Sequence, residues 1–87
     1  MKLKYKFTVN KVGGEYIAAA VGKENGAKDK VISLNETGAF IFRALLKETD
    51  ENALIFSLLK EYDVTEPDAA KSVSDILNAL KREDLLE

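Results

Sequence analysis

The sequence predicts an α+β protein in which a three-stranded antiparallel sheet is followed by three helices. Two observations carry that expectation. Apolar residues recur with period two over roughly the first third of the chain, and the period changes to about 3.6 after Asn35. The change occurs without a linker, inside the stretch "VISLNETGAFIFRALL" from Val31 to Leu46. With 87 residues, the chain has room for one core, so residues 1–87 are read as a single domain.

The first strand is expected over residues 2–9, where Leu3, Tyr5, Phe7 and Val9 alternate with Lys2, Lys4, Lys6 and Thr8. Gly13 and Gly14 supply a turn, because glycine tolerates positive φ, and Tyr16 to Val21 reads as the returning strand. Asn25-Gly26 signals a second tight turn within a flexible segment 22–30. That turn brings Val31 to Leu34 in as a short third strand.

Asn35 then caps a helix over 36–47, with Glu36 favoured at the positive end of its dipole and Phe40, Ile41, Ala44 and Leu45 at helical spacing. "ETDEN" interrupts it, with Thr49 or Asp50 as the next cap. Ala53, Leu54, Phe56, Leu58, Leu59 and Tyr62 place apolar groups around most of the second helix, which predicts packing on more than one side. Thr65 caps the third helix, Pro67 sits in its first turn where a missing N–H costs nothing, and Asp68 lies three residues beyond the cap. Two adjacent lines, Ala69-Val73-Ile76-Leu80 and Ala70-Ser74-Leu77-Lys81, make a broad apolar stripe with a polar edge. Leu85 and Leu86 are expected to fold back onto the core.

Composition narrows the chemistry. The chain has neither Cys nor His, which removes thiol nucleophiles, disulfides, the usual zinc sites and the side chain that titrates near neutrality. The 15 acidic residues fall at helix starts and solvent-type positions, so no enzyme activity, metal or cofactor is expected. No apolar run approaches the ~20 residues that cross a bilayer, and "MKLKYKF" lacks the apolar segment of a signal peptide. The expectation is a cytoplasmic protein with no membrane partner. Charge is uneven: residues 1–30 carry seven Lys against three acidic residues, net +4, while residues 31–87 carry six basic against twelve acidic residues, net −6.

Three motifs in order, Leu34-Asn35-Glu36-Thr37-Gly38, then "LLKEYDV" from Leu58 to Val64, then Val73, Leu77 and Leu80 on a helix ending in Leu85-Leu86, resemble the PqqD-like family. The resemblance spans nearly the whole chain. It departs in two turns: where such proteins commonly carry Gly, this sequence has "KETDEN" and, before the final Leu-Leu, Asp84. The resemblance implies a winged-helix-like RiPP recognition element that holds the leader of a ribosomally made precursor peptide and presents it to a modifying enzyme, often a radical SAM enzyme. In PqqD itself the pathway leads to pyrroloquinoline quinone. It further implies that the leader adds as a strand to the third strand, beside the third helix.

The sequence is compatible with that mode. An edge strand offers unpaired N–H and C=O groups to an extended peptide, and Val31 to Leu34 has no Pro and no charge, with Lys28 and Lys30 as the nearby charged guards. Because a strand residue's N–H and C=O point to one side, either Val31 and Ser33 or Ile32 and Leu34 face the peptide. The peptide-binding candidates are Val31, Ile32, Ser33 and Leu34 on the strand, with Ala70, Val73, Ser74, Leu77 and Lys81 on the helix. Replacing Leu77 with Asp is then expected to weaken binding while the fold persists. The alternative is a winged-helix DNA-binding regulator, but the acidic helical half opposes phosphate binding, so no nucleic acid partner is expected. A monomer and a homodimer formed by edge pairing or strand exchange both remain open.

Overall fold

The fold is that of a computed structural model, which describes residues 1–22 and 30–87. The Asn25-Gly26 turn and Lys28 lie outside the described residues. Three strands, β1 (Phe7–Val12), β2 (Glu15–Ala20) and β3 (Val31–Leu34), precede three helices, α1 (Glu36–Ala44), α2 (Glu51–Glu61) and α3 (Glu66–Arg82). The sheet is antiparallel with order β1-β2-β3, so β2 is central and β1 and β3 are its edges. Gly13 takes a φ of 65° in the two-residue loop between β1 and β2, as the first position of a hairpin loop requires.

One face of the sheet packs on the helices. Phe7, Ala18 and Leu34 from the strands join Ala39, Ile41, Phe42, Leu45, Leu54, Leu58, Ala69, Val73, Leu77 and Leu80 from the helical half in one buried cluster. Phe7 meets Phe42 edge to face at 5.1 Å, and Phe40 meets Tyr62 in the same way at 5.5 Å.

The helix starts follow the capping residues. The side chains of Asn35, Asp50 and Thr65 accept from the backbone N–H groups of Gly38, Ala53 and Asp68 at 2.7, 2.9 and 3.3 Å. The end of α3 is a complete Schellman motif: Leu85 N–H donates to the Leu80 carbonyl, Asp84 N–H donates to the Lys81 carbonyl, and Asp84 has a left-handed φ of 56°. This reversal buries Leu85 beside Leu80 and leaves Leu86 partly buried against the core. Asp84 thus occupies a backbone conformation that glycine takes more easily, and Lys4 donates to its carboxylate at 2.6 Å.

Three expectations change. The alternating segment before Phe7 does not extend β1. Leu3 N–H donates to the Leu45 carbonyl and Lys4 N–H to the Leu85 carbonyl, with an isolated bridge between Leu3 and Leu86. Leu3 is buried among the ends of the helices, so the period of two reported burial there and not sheet pairing. The α1 helix stops at Ala44, three residues early: Leu46 and Lys47 bond i to i−3, tightening the last turn, and the Leu45 carbonyl is taken by Leu3. Finally, α2 packs against both α1 and α3 but leaves part of its apolar circumference uncovered. Leu54 and Leu58 are buried, while Phe56 is 63% exposed under the Lys60 ammonium, 5.4 Å from its ring. Among the described residues no further element covers that face.

Candidate functional site

The two edges of the sheet differ, and hydrogen-bond parity shows how. Val21 N–H donates to the Lys6 carbonyl and Ala20 N–H donates to the Lys30 carbonyl. Backbone groups alternate sides along an antiparallel strand, so odd-numbered β2 residues bond β1 and even-numbered ones bond β3. The register pairs Tyr16 with Leu34 and Ala18 with Ile32, which are therefore the hydrogen-bonded pairs of the β2-β3 ladder. Val31 and Ser33, opposite Ala19 and Ile17, turn their N–H and C=O outward. Among the described residues no backbone group pairs with them there.

The same parity turns Val9 outward on β1, where Arg43 Nη2 donates to its carbonyl at 3.3 Å. One edge is thus partly closed by a side chain from α1, and the β3 edge presents four backbone groups.

Side chains follow the opposite alternation. Ile32 and Leu34 point toward the helices, partly buried and buried, while Val31 is 62% exposed and Ser33 is exposed on the far face. The α3 helix runs along β3 in the reverse direction. At one end Lys30 Nζ reaches Glu83 Oε1 at 3.3 Å. At the other, a Cβ placed on Gly38 would stand 3.2 Å from Ile76 Cδ1 and 3.5 Å from Leu34 Cδ2. Ser72, Ile76, Ala79 and Glu83 therefore form the line of α3 nearest β3, since residues at these spacings share one helical face. Where β3 gives way to α1, a cleft of about 100 Å³ opens between Asn35, Thr37, Gly38, Ser72, Asp75 and Ile76.

The sequence-derived residues divide accordingly. Val31, Ile32, Ser33 and Leu34 form the edge strand, and the choice left open by the sequence falls to Val31 and Ser33 as the outward pair. Val73 (0% exposed) and Leu77 (3% exposed) are core residues, so their side chains do not present themselves to a ligand, and Leu77→Asp would attack the fold. At about 100° per residue, Ala70, Ser74 and Lys81 lie on the side of α3 opposite the Ser72-Ile76-Ala79-Glu83 line, so the structure does not bring them to β3. Ser72, Asp75, Ile76, Ala79 and Glu83 were missed as candidates. The available signal was Gly38 itself, a glycine inside a helix whose missing Cβ marks the close approach of another element.

Among the described residues no three His, Cys, Asp or Glu side chains gather as a metal site, and no helix is long and apolar enough to cross a membrane.

A family model described as coenzyme PQQ synthesis protein D (PqqD) matches residues 15–86. No curated protein sequence matches the chain. Two solved structures share the fold. TbiB1, solved in complex with the TbiA(beta) leader peptide, is 21% identical with a TM-score of 0.71, covering 100% of this chain and 95% of that one. Lasso peptide synthetase B1, complexed with the leader peptide, is also 21% identical with a TM-score of 0.67, covering 97% and 93%.

Proposed function

The chain belongs to the PqqD family, and on that premise we propose that it binds the leader segment of a ribosomally made precursor peptide by strand addition to β3. The observation that carries this reading is the outward parity of Val31 and Ser33, two consecutive positions at which an incoming strand finds both a donor and an acceptor. The shared fold of two proteins solved with leader peptides supports it. The bound leader is presented to a peptide-modifying enzyme, a radical SAM enzyme being the first candidate.

Energetics require more than the backbone. Four added hydrogen bonds supply about 2 to 6 kcal/mol in total, whereas micromolar affinity needs about 8 kcal/mol net, after ordering the peptide at about 1 to 2 kcal/mol per residue. The difference has to come from leader side chains buried between β3 and α3. In antiparallel addition these are the residues opposite Ile32 and Leu34, which point to the helix side.

The test is a titration of isotope-labelled protein with synthetic leader segments of candidate precursor peptides. The Val31 and Ser33 amides are expected to shift most, with Ser72, Ile76 and Ala79 following. Saturating leader that leaves them unmoved would remove β3 as the binding edge.

A further inference from the structure

Resting on this strand-addition reading, we infer that the cleft between the start of α1 and the middle of α3 reads a basic side chain of the leader. A strand paired with the Val31 and Ser33 backbone sends alternate side chains toward the helices, spaced two apart, one beside Ile32 and the next beside Leu34. The second of these arrives where Leu34 Cδ2 and Ile76 Cδ1 close over Gly38, at the mouth of the cleft.

The walls select the chemistry. Ile76 offers an apolar surface for an aliphatic stem, and Asp75 offers a carboxylate for its head, the arrangement in which Lys and Arg bury their methylenes and keep the charge in water. Among the described residues Asp75 is engaged by Lys71, one helical turn earlier at 2.8 Å, in a pair whose side chains are 75% and 62% exposed. So exposed a pair contributes little, and a leader cation displaces Lys71 at small cost. The dipole of α1 favours an anion at its first turn, but Asn35 Oδ1 already accepts from Gly38 N–H at 2.7 Å and from the Thr37 hydroxyl at 3.2 Å, so two donors that would meet an anion are spent, and the Asp75 carboxylate repels it. The position beside Ile32 faces Ile76 and the Ala79 line and takes an apolar side chain. An antiparallel leader meets Leu34 before Ile32, so the recognised order is basic, any residue, apolar.

The experiment is selection of 12-residue peptides from a random display library on the immobilised 87-residue chain and on Asp75→Lys, with selected peptides checked for shifts at the Val31 and Ser33 amides. Asp75 is exposed, so the substitution leaves the core untouched. Wild-type protein is expected to enrich Lys or Arg two positions before an apolar residue. Asp75→Lys should enrich Asp or Glu at that position and bind the wild-type peptides about two- to fivefold more weakly. Edge-binding peptides with the same preference on both proteins would overturn the cleft assignment and leave strand addition standing. Failure to enrich any peptide that shifts Val31 and Ser33 would overturn strand addition itself.

Discussion

Ile76 rests over Gly38: a Cβ on that glycine would lie 3.2 Å from Ile76 Cδ1 and 2.9 Å from the Asn35 Oδ1 that caps the same helix. The contact joins α1 to α3 beside β3, and it explains why the first turn of α1 carries a residue with poor helical propensity.

Gly38→Ala is therefore expected to destabilise the protein. Propensity alone would favour alanine by about 1 kcal/mol, but displacing the Asn35 cap costs about 1 kcal/mol and crowding Ile76 costs about 1 to 3 kcal/mol. Chemical denaturation should show a net loss of about 1 to 3 kcal/mol. A gain in stability would mean that the helices separate without cost.

Proline distinguishes the two faces of β3. At Ser33 it removes an outward N–H and spares the ladder, whereas at Ile32 it removes an N–H that points to β2. Ser33→Pro should keep its melting transition and lose peptide binding, and Ile32→Pro should lower the transition itself. Equal melting behaviour in both would contradict the assigned parity.

Leu77→Asp should unfold the protein or lower its melting temperature sharply. It deletes a side chain from the core and leaves an unpaired carboxylate there, costing at least about 3 kcal/mol of a total near 5 to 15 kcal/mol. Circular dichroism decides it, since a native spectrum and an unchanged transition would place Leu77 outside the core.

Asp84 holds a left-handed φ that costs a non-glycine residue about 1 to 2 kcal/mol, and Asp is among the residues that bear it best. Asp84→Gly is expected to match or exceed wild-type stability, because the exposed Lys4 partnership it loses is weak. Asp84→Ala loses the partnership and keeps the strain, so it should melt lower than both. The reverse order would show the Lys4 contact outweighing the backbone.

Alkaline stability should depend on Tyr62. Burial first, and then the nearby Glu36 carboxylate, raise its phenol above the ordinary value of 10.0. A raised value means the fold favours the neutral phenol, so this contribution is complete below pH about 10 and is lost as pH climbs through the folded value. Unfolding free energy measured above pH about 9 should fall more steeply for wild type than for Tyr62→Phe, and parallel curves would refute the shift.

Much of this architecture was legible because it rests on local chemistry. Asn35, Asp50 and Thr65 start helices through their own side-chain oxygens, Gly13 turns a hairpin through its own φ, and the period change after Asn35 follows from which face each element buries. The edge strand Val31 to Leu34 was visible in the same way, whereas Val73 and Leu77, candidates for the peptide surface by their spacing, lie in the core because of how the packed helix is rotated. Sheet parity was not, because the β2-β3 register depends on a pairing between distant residues. Nor was the flank of α3 that lies along β3. The apolar stripe of α3 has two borders, Ala70-Ser74-Lys81, to which the sequence pattern pointed, and Ser72-Ile76-Ala79, which it did not mark. Only the rotation of the packed helix over Gly38 chose the second, because that rotation is set by side chains from three elements meeting at once.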